Sequence, residues 1–180
     1  MFKLFNSFLF ASLLCFQYAH GQELSFTSNY DYDTSQIYIS VTVNNEKHLF
    51  LFDNAVQSSI IFLNSPNDLK RYKIKSKTFI YDAKGNRDTA YIVNASILIP
   101  ELKIKNKKIN ILALPYSSST KQLELNGVTG ILGLDIINCH DWLIDFNRTV
   151  IKILRKNDSV KKENYYNLPT IKDRHSTYLY

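Results

Sequence analysis

The sequence predicts a mainly β domain, a closed and barrel-like arrangement of short hairpins. Several short segments alternate apolar and polar residues, which is the pattern of half-buried strands. Aromatic residues, which favour strands, make up 13% of the 180 residues, and no long amphipathic helix is indicated. Contents of 45% hydrophobic and 21% charged residues are ordinary for a packed globular protein and exclude a disordered chain.

The N-terminus has the pattern of a signal peptide over residues 1–21. A lysine precedes an apolar run over residues 4–16, and small residues follow at Ala19 and Gly21. The run is too short for a membrane-spanning helix. We therefore expect export, to the periplasm or outside the cell, after cleavage near Gly21-Gln22, with no integral membrane segment in the mature chain.

Charge and cysteine content exclude several classes of protein. The net charge of +6 is modest and forms no dense basic block, so we expect no nucleic-acid partner. Two cysteines exclude a disulfide-stapled miniprotein and a four-cysteine zinc site. Cys139 is expected to be a buried small hydrophobe. Since His48, His140 and His175 lack ligand spacing, neither a metal nor a cofactor is predicted.

The first half of the mature chain predicts a hairpin and a short helix. Residues 36–43 alternate cleanly, Asn44-Asn45 indicates a turn, and residues 48–52 form a continuous apolar run. A further strand is expected over residues 58–62. A short helix should follow within residues 64–69, with Ser65 as its N-cap before a proline.

The second half predicts two more hairpins around a glycine-containing apolar segment. Its elements are expected as follows: strands at 73–82 and 89–99 joined by a turn at 83–86, a turn at 106–108 before a strand at 109–114, a loop at 116–122, an apolar segment at 128–137, and a closing hairpin of 142–146 with 149–154. Residues 155–180 form a basic extension without periodicity, and a strand beginning near residue 176 is a minority interpretation.

Asp53 ends the apolar run of residues 50–52. A carboxylate at the end of a buried strand either accepts backbone hydrogen bonds as a turn former or is catalytic. Neither His48 nor the serines after Asp53 form a hydrolase triad, because no nucleophile-elbow glycines surround them. The segment around Asp53 alone favours the structural interpretation.

A second set of motifs favours the catalytic interpretation of Asp53. Residues 50–59 read FLFDNAVQSS, and residues 130–137 read GILGLDII before a closing LIDF. In this order and spacing the chain resembles the retropepsin-like aspartic peptidases, the single-lobed relatives of retroviral protease and pepsin. That family has a strand ending in Asp-Thr/Ser-Gly, a flap hairpin, and a hydrophobic-hydrophobic-Gly segment leading into a short helix. The resemblance covers residues 36–154 and implies a peptidase domain over residues 22–154.

The resemblance implies hydrolysis of peptide bonds by two aspartates that share one proton and hold a water. Asp53 would be one of them. Asp135 and Asp145 fall in the helix-entry and closing-strand motifs, where a structural role is expected, so the second would be Asp53 of another copy in a homodimer. The other implied site residues are the active-site loop Asn54, Ala55 and Ser58, the flap tip Lys84, Gly85 and Asn86, and the loop-supporting Ile131, Leu132 and Gly133.

Asn54 and Ala55 depart from the family pattern. Asn54 stands where the family has Thr or Ser, and Ala55 where it has Gly. An asparagine can donate a hydrogen bond but not in the geometry of a hydroxyl, and a Cβ would displace a loop that needed glycine. A shift of about 1 Å at a catalytic group can cost roughly a hundredfold in rate.

Three functions therefore stay open at the level of sequence. The first is an exported aspartic endopeptidase acting on polypeptides as a homodimer, with activity weakened or lost. The second is a catalytically inactive peptide-binding or assembly module of the cell envelope on the same fold. The third, if the resemblance is accidental, is an envelope protein of barrel fold in which Asp53 is only structural.

Overall fold

The computed structural model describes residues 23–31, 34–81, 85–117, 120–154, 170–172 and 177–179. The predicted signal peptide and most of the predicted basic extension lie outside these residues. The strands are β1 Glu23–Ser25, β2 Thr27–Asp31, β3 Thr34–Val43, β4 Glu46–Phe52, β5 Ile60–Leu63, β6 Lys73–Tyr81, β7 Arg87–Ile99, β8 Ile104–Pro115, β9 Gly130–Leu132, β10 Asp141–Asp145, β11 Val150–Leu154, β12 Thr170–Lys172 and β13 Thr177–Leu179. The short helices are α1 Lys121–Leu125, α2 Leu134–Ile137, and two 3-10 helices, Pro66–Arg71 and Pro100–Leu102.

Six strands form a closed ring, which confirms the predicted mainly β, barrel-like class. The sheet order is β2-β3-β4-β9-β5-β8-β7-β6, and β3 also pairs with β7. That last pairing, Thr42 with Leu98 and Val43 with Ile97, closes the ring. β2 and β6 extend the sheet beyond it. Closure removes the open edges that the six ring strands would otherwise expose.

The hairpin of β3 and β4 has the turn that the sequence predicts. Asn44 and Asn45 both have positive φ, 48° and 72°, a conformation that asparagine tolerates in a two-residue hairpin turn. Alternation along β3 buries Ile39 and Val41 in the main core cluster. Tyr38, on the opposite face, belongs to a second cluster, so this part of the strand is buried on both sides.

β9 lies between β4 and β5, and this insertion builds the site described below. β9 runs parallel to β4, with Phe50 opposite Gly130, and antiparallel to β5. A Cβ at Gly130 would lie 2.3 Å from the Phe50 ring and 2.6 Å from the Ile60 carbonyl oxygen. Because real Cβ atoms do not approach so closely, glycine is required for β9 to fit between its neighbours.

Three sequence predictions are wrong in detail. No turn interrupts residues 106–108, because β8 runs through them as one strand, and Lys108 takes a φ of 56° in a bulge of β8, where residues 107 and 108 lie opposite Ser96 of β7. The reversal lies earlier, at the Pro100–Leu102 helix and Lys103. The segment 116–122, predicted to be a loop throughout, already contains the start of α1 at Lys121. Cys139 is exposed, not buried.

A three-stranded sheet of β1, β11 and β10 lies beside the ring, and β12 pairs with β13. Their presence agrees with the predicted closing hairpin and with a strand near residue 176. Among the described residues, no helix has the length and hydropathy needed to cross a membrane. In the same part of the chain, no cluster of His, Cys, Asp and Glu side chains has metal-binding geometry.

Candidate active site

Asp53 directly follows β4, and hydrogen bonds fix both its backbone and its side chain. Its N–H donates to the Leu132 carbonyl oxygen at 3.1 Å. Its Oδ1 accepts the N–H of Ala55 at 2.8 Å, which is an Asx turn. The residue is partly exposed. The carboxylate is therefore held in one orientation by its own loop while it stays accessible from outside the barrel.

Segment 132–135 holds the loop that follows Asp53. The Leu134 N–H donates to the Val56 carbonyl oxygen at 2.8 Å, and the Asp135 N–H donates to the Gln57 carbonyl oxygen at 3.1 Å. These are the first N–H groups of α2, which have no partner within the helix. The loop thus supplies acceptors for the helix start, and the helix start fixes the loop.

Ser59 is the centre of this arrangement and is fully buried. Its hydroxyl donates to Asp135 Oδ1 at 2.6 Å and accepts the Gly133 N–H at 3.1 Å. Its own N–H donates to Asp135 Oδ2 at 2.9 Å. Both carboxylate oxygens of Asp135 and the N–H and hydroxyl of Ser59 are thereby satisfied, so this interlock of Ser59, Gly133 and Asp135 carries no buried unpaired polar atom of its own.

Gly133 is required for the close contact between the two segments. A Cβ there would lie 2.8 Å from the Val56 carbonyl oxygen, 2.8 Å from the Ser58 carbonyl carbon and 2.9 Å from the Ser59 nitrogen. All three are backbone atoms, which cannot rotate away as a side chain can. Any side chain at Gly133 would push the Asp53 loop off the barrel.

The two divergent positions fit their loop without backbone strain. Asn54 is partly exposed and Ala55 is exposed. Ala55 is not among the residues with positive φ, so its backbone conformation does not call for glycine. The Cβ of Ala55 therefore imposes no positive-φ strain on the backbone of the single chain.

Of the other predicted site residues, Leu132 and Gly133 contact the two ends of the Asp53 loop, and Ile131 pairs with Leu51 on β4 and with Ile60 on β5. Ser58 is partly exposed, and its neighbour Ser59 makes the interlock. No sequence pattern favours Ser59 over Ser58, because its partner Asp135 is far along the chain. Asp135 itself was expected to be structural, and its contacts agree with that.

The predicted flap is the hairpin of β6 and β7. Gly85, at its tip, is exposed with φ 81°, where glycine is favoured, and Asn86 is exposed beside it. Lys84 lies outside the described residues. Near the tip, Ile80 packs against the cluster that contains Leu51 and Ile131, which neighbour the Asp53 loop on β4 and β9.

The other aspartates named from the sequence are occupied elsewhere. Asp135 is bound to Ser59, and Asp145 Oδ1 accepts the Arg148 N–H at 3.1 Å in the turn between β10 and β11. Asp135 and Asp145 therefore each have hydrogen-bond partners other than Asp53.

No family model and no curated protein matches the chain. Among solved structures, it is similar to a retropepsin-like aspartic protease from Rickettsia conorii, at 17% identity over 72% of this chain and 87% of that chain, with a TM-score of 0.44. It is also similar to EIAV protease complexed with the inhibitor HBY-793, at 19% identity over 62% of this chain and 92% of that chain, with a TM-score of 0.43. A third similar structure is the retroviral protease-like domain of Ddi1 from Leishmania major, at 14% identity over 71% of this chain and 100% of that chain, with a TM-score of 0.41.

These values describe a likeness of fold only. The order of elements that the sequence motifs imply is nevertheless present in the chain itself. β4 ends at Asp53, the β6–β7 hairpin follows, β9 leads through Gly133 into α2, and β10 and β11 close the domain. An activity has to be argued from these residues and their geometry.

Proposed function

We propose that this protein is an exported aspartic endopeptidase that cleaves polypeptides as a homodimer. The observation that carries the proposal is the clamped turn at Asp53. The Leu132 carbonyl oxygen and the Ala55 N–H fix the residue on both sides, and the carboxylate stays accessible. A turn former makes the same Asx turn; a catalytic group needs it because small displacements of a reacting atom are costly, and the subunit mixing described below distinguishes the two roles.

The chemistry requires two such carboxylates. When two Asp53 side chains face each other across a two-fold axis, repulsion prevents both from ionising, so they share one proton. The ionised carboxylate takes a proton from the bound water as it attacks the peptide carbonyl. The protonated carboxyl donates its proton to the carbonyl oxygen, and a tetrahedral diol forms. Its collapse breaks the C–N bond as the carboxyl that took the water proton gives that proton to the leaving amine, and the other carboxyl regains its proton from a diol hydroxyl. One chain supplies one Asp53, so the active unit is a dimer.

Subunit mixing tests this shared site. We would titrate the wild-type protein with Asp53→Asn and follow cleavage of an unfolded protein substrate at acidic and neutral pH. If each site needs two Asp53 carboxylates, then activity per wild-type chain falls in proportion to the wild-type fraction. Asp141→Asn is the matched control, because Asp141 is an exposed carboxylate at the start of β10.

Two results would contradict the proposal. The first is equal cleavage by wild type and Asp53→Asn. The second is a purely monomeric protein in sedimentation equilibrium at high concentration. Export is tested separately, by N-terminal sequencing of the protein recovered from the periplasm or medium, where the expected first residue is Gln22.

A second candidate function is a peptide-binding module without catalysis. Asn54 and Ala55, in place of Thr or Ser and Gly, favour it, because both adjoin the proposed catalytic carboxylate. An extended peptide would then bind between the flap and the Asp53 loop. This function predicts that Asp53→Asn leaves peptide binding unchanged while neither protein cleaves.

A further inference from the structure

β6 is an edge strand that stands outside the closed ring. It pairs with β7 on both sides of a bulge at Lys75, which has no partner in the ladder, and it ends the strand order of the eight-stranded sheet. Within the described residues, no strand pairs with its other side. Most of its residues are exposed, and only Thr78 and Ile80 are partly buried. Its outer edge therefore presents backbone N–H and C=O groups that another strand can bind.

This strand also carries an unusual share of exposed apolar surface. Ile74, Phe79 and Tyr81 are 48%, 47% and 68% exposed, and the described residues contain only two other large hydrophobic side chains that are comparably exposed, Leu125 and Phe146. Natural edge strands usually avoid such side chains because they invite association. Their concentration here is typical of a surface that a partner covers.

The charge on the strand is positive. Lys73, Lys75 and Lys77 lie on β6, and the ion pairs of the described residues are formed by other cations. The guanidinium carbon of Arg87 lies 3.4 Å from the centre of the Phe79 ring, and Lys77 Nζ lies 6.0 Å from it. Lys77 and Arg87 thus lie near an aromatic ring, and neither forms an ion pair with a carboxylate of the described residues.

We propose that the outer edge of β6 binds an extended, acidic segment of another polypeptide, which adds a strand to the sheet. The backbone edge selects a polypeptide, because nucleic acids and lipids lack groups that match a strand ladder. The lysines select carboxylates on that segment. A second copy of β6 is a poor partner, because antiparallel pairing would bring lysines near lysines.

The proposed surface is distinct from the Asp53 loop. Asp53 follows β4, and around the closed ring β3 and β7 lie between β4 and β6, whose outer edge is the side that does not pair with β7. The surface could bring an acidic protein to the peptidase, or act in a protein that does not cleave at all. Its test is therefore independent of catalysis and can be carried out with Asp53→Asn.

The probe is a labelled eight-residue peptide of alternating Glu and Val, added to Asp53→Asn protein at low salt. The control peptide alternates Lys and Val. We expect the acidic peptide to bind and to slow hydrogen exchange of β6 amides, since strand addition buries the backbone edge. Lys75→Glu with Lys77→Glu should weaken binding by roughly tenfold, because each reversal replaces attraction by repulsion.

The matched variant carries Lys47→Glu and Lys105→Glu, which make the same charge change at exposed positions on β4 and β8. It should bind as the parent does. Equal weakening by both variants, or binding without protection of β6 amides, would overturn the proposal. So would polyphosphate binding β6 as tightly as the acidic peptide, because it has the charge but no peptide backbone.

Discussion

The hydroxyl of Ser59 donates to the carboxylate of Asp135 at 2.6 Å, although 76 residues separate the two in sequence. Ser59 ends the loop that begins at Asp53, and Asp135 lies in the first turn of α2. Through this contact and the Gly133 N–H, the end of the loop is fixed to the segment whose Leu132 carbonyl oxygen holds the Asp53 N–H. Segment 132–135 thus holds both ends of the Asp53 loop by hydrogen bonds.

Ser59→Ala should destabilise the fold by about 1–3 kcal/mol, because it leaves the buried Gly133 N–H and one Asp135 oxygen without a partner. Urea unfolding measures this loss. Ser40→Ala, at an exposed position in β3, is the control and should change stability by less than about 0.5 kcal/mol. Equal effects of the two substitutions would show that the interlock contributes nothing.

Gly133→Ala should cost more than Gly127→Ala. At Gly133, the added Cβ meets three backbone atoms within 2.9 Å. At Gly127, it meets nothing within 4 Å, and the cost comes only from a φ of 71°. We expect at least about 3 kcal/mol for the first and about 1–2 kcal/mol for the second, again by urea unfolding. The reverse order would contradict the close contact described for Gly133.

His48 should make the stability depend on pH. Its Nδ1 lies 3.2 Å from Thr129 Oγ1, and its Nε2 is buried without a hydrogen-bond partner in the described part of the chain. Burial lowers the pKa of His48 below 6.5, with Arg71 acting in the same direction and Glu46 opposing it. The unfolded chain therefore takes up this proton at a higher pH than the folded chain does.

The stabilisation from neutral His48 is complete above the unfolded pKa of 6.5. It is lost progressively as the pH falls from there through the folded pKa. We expect the free energy of unfolding to decrease between pH 7 and pH 5 in the wild type, and less steeply in His48→Leu. Parallel curves for the two proteins would show that His48 does not contribute.

The strands could be predicted because the alternation of apolar and polar residues and the turn-forming residues can both be read from short stretches of sequence. Asn44-Asn45 marks its hairpin, and Ser65 with Pro66 marks the start of the 3-10 helix, where the Ser65 N–H donates to Asp68. The turn predicted at 106–108 failed for a tertiary reason. Polar residues there occupy a bulged strand that β7 keeps in the sheet, so Lys108 takes a positive φ without reversing the chain.

The site was predictable only in part. Asp53 and the segment 131–133 were identified from motifs, and the structure brings them together. Ser59 could not be distinguished from Ser58, because burial depends on the insertion of β9 between β4 and β5, which no local pattern encodes. Cys139 was expected in the core because free cysteines usually are, but it follows the exposed Asn138 after α2, where its thiol reaches the Asp135 carbonyl oxygen at 3.3 Å.

The loop substitutions at Asn54 and Ala55 offer a gain-of-function test of the proposed peptidase. Restoring the family residues with Asn54→Thr and Ala55→Gly should raise the cleavage rate by roughly tenfold to a hundredfold, because a hydroxyl and a smaller loop allow two Asp53 turns to approach each other. Asn54→Thr should supply most of the gain. Ala55 already has an ordinary backbone conformation, and its N–H already binds the Asp53 carboxylate.

The rate is measured on an unfolded protein substrate for each single variant, the double variant, and the double variant carrying Asp53→Asn. The last should be inactive, which excludes a contaminating protease as the source of the gain. Sedimentation of the same samples distinguishes a more active site from tighter dimerisation. If the site itself improves, the cleavage rate per dimer rises even in samples where all chains are dimeric. A double variant that dimerises fully and still does not cleave would favour the peptide-binding module over the peptidase.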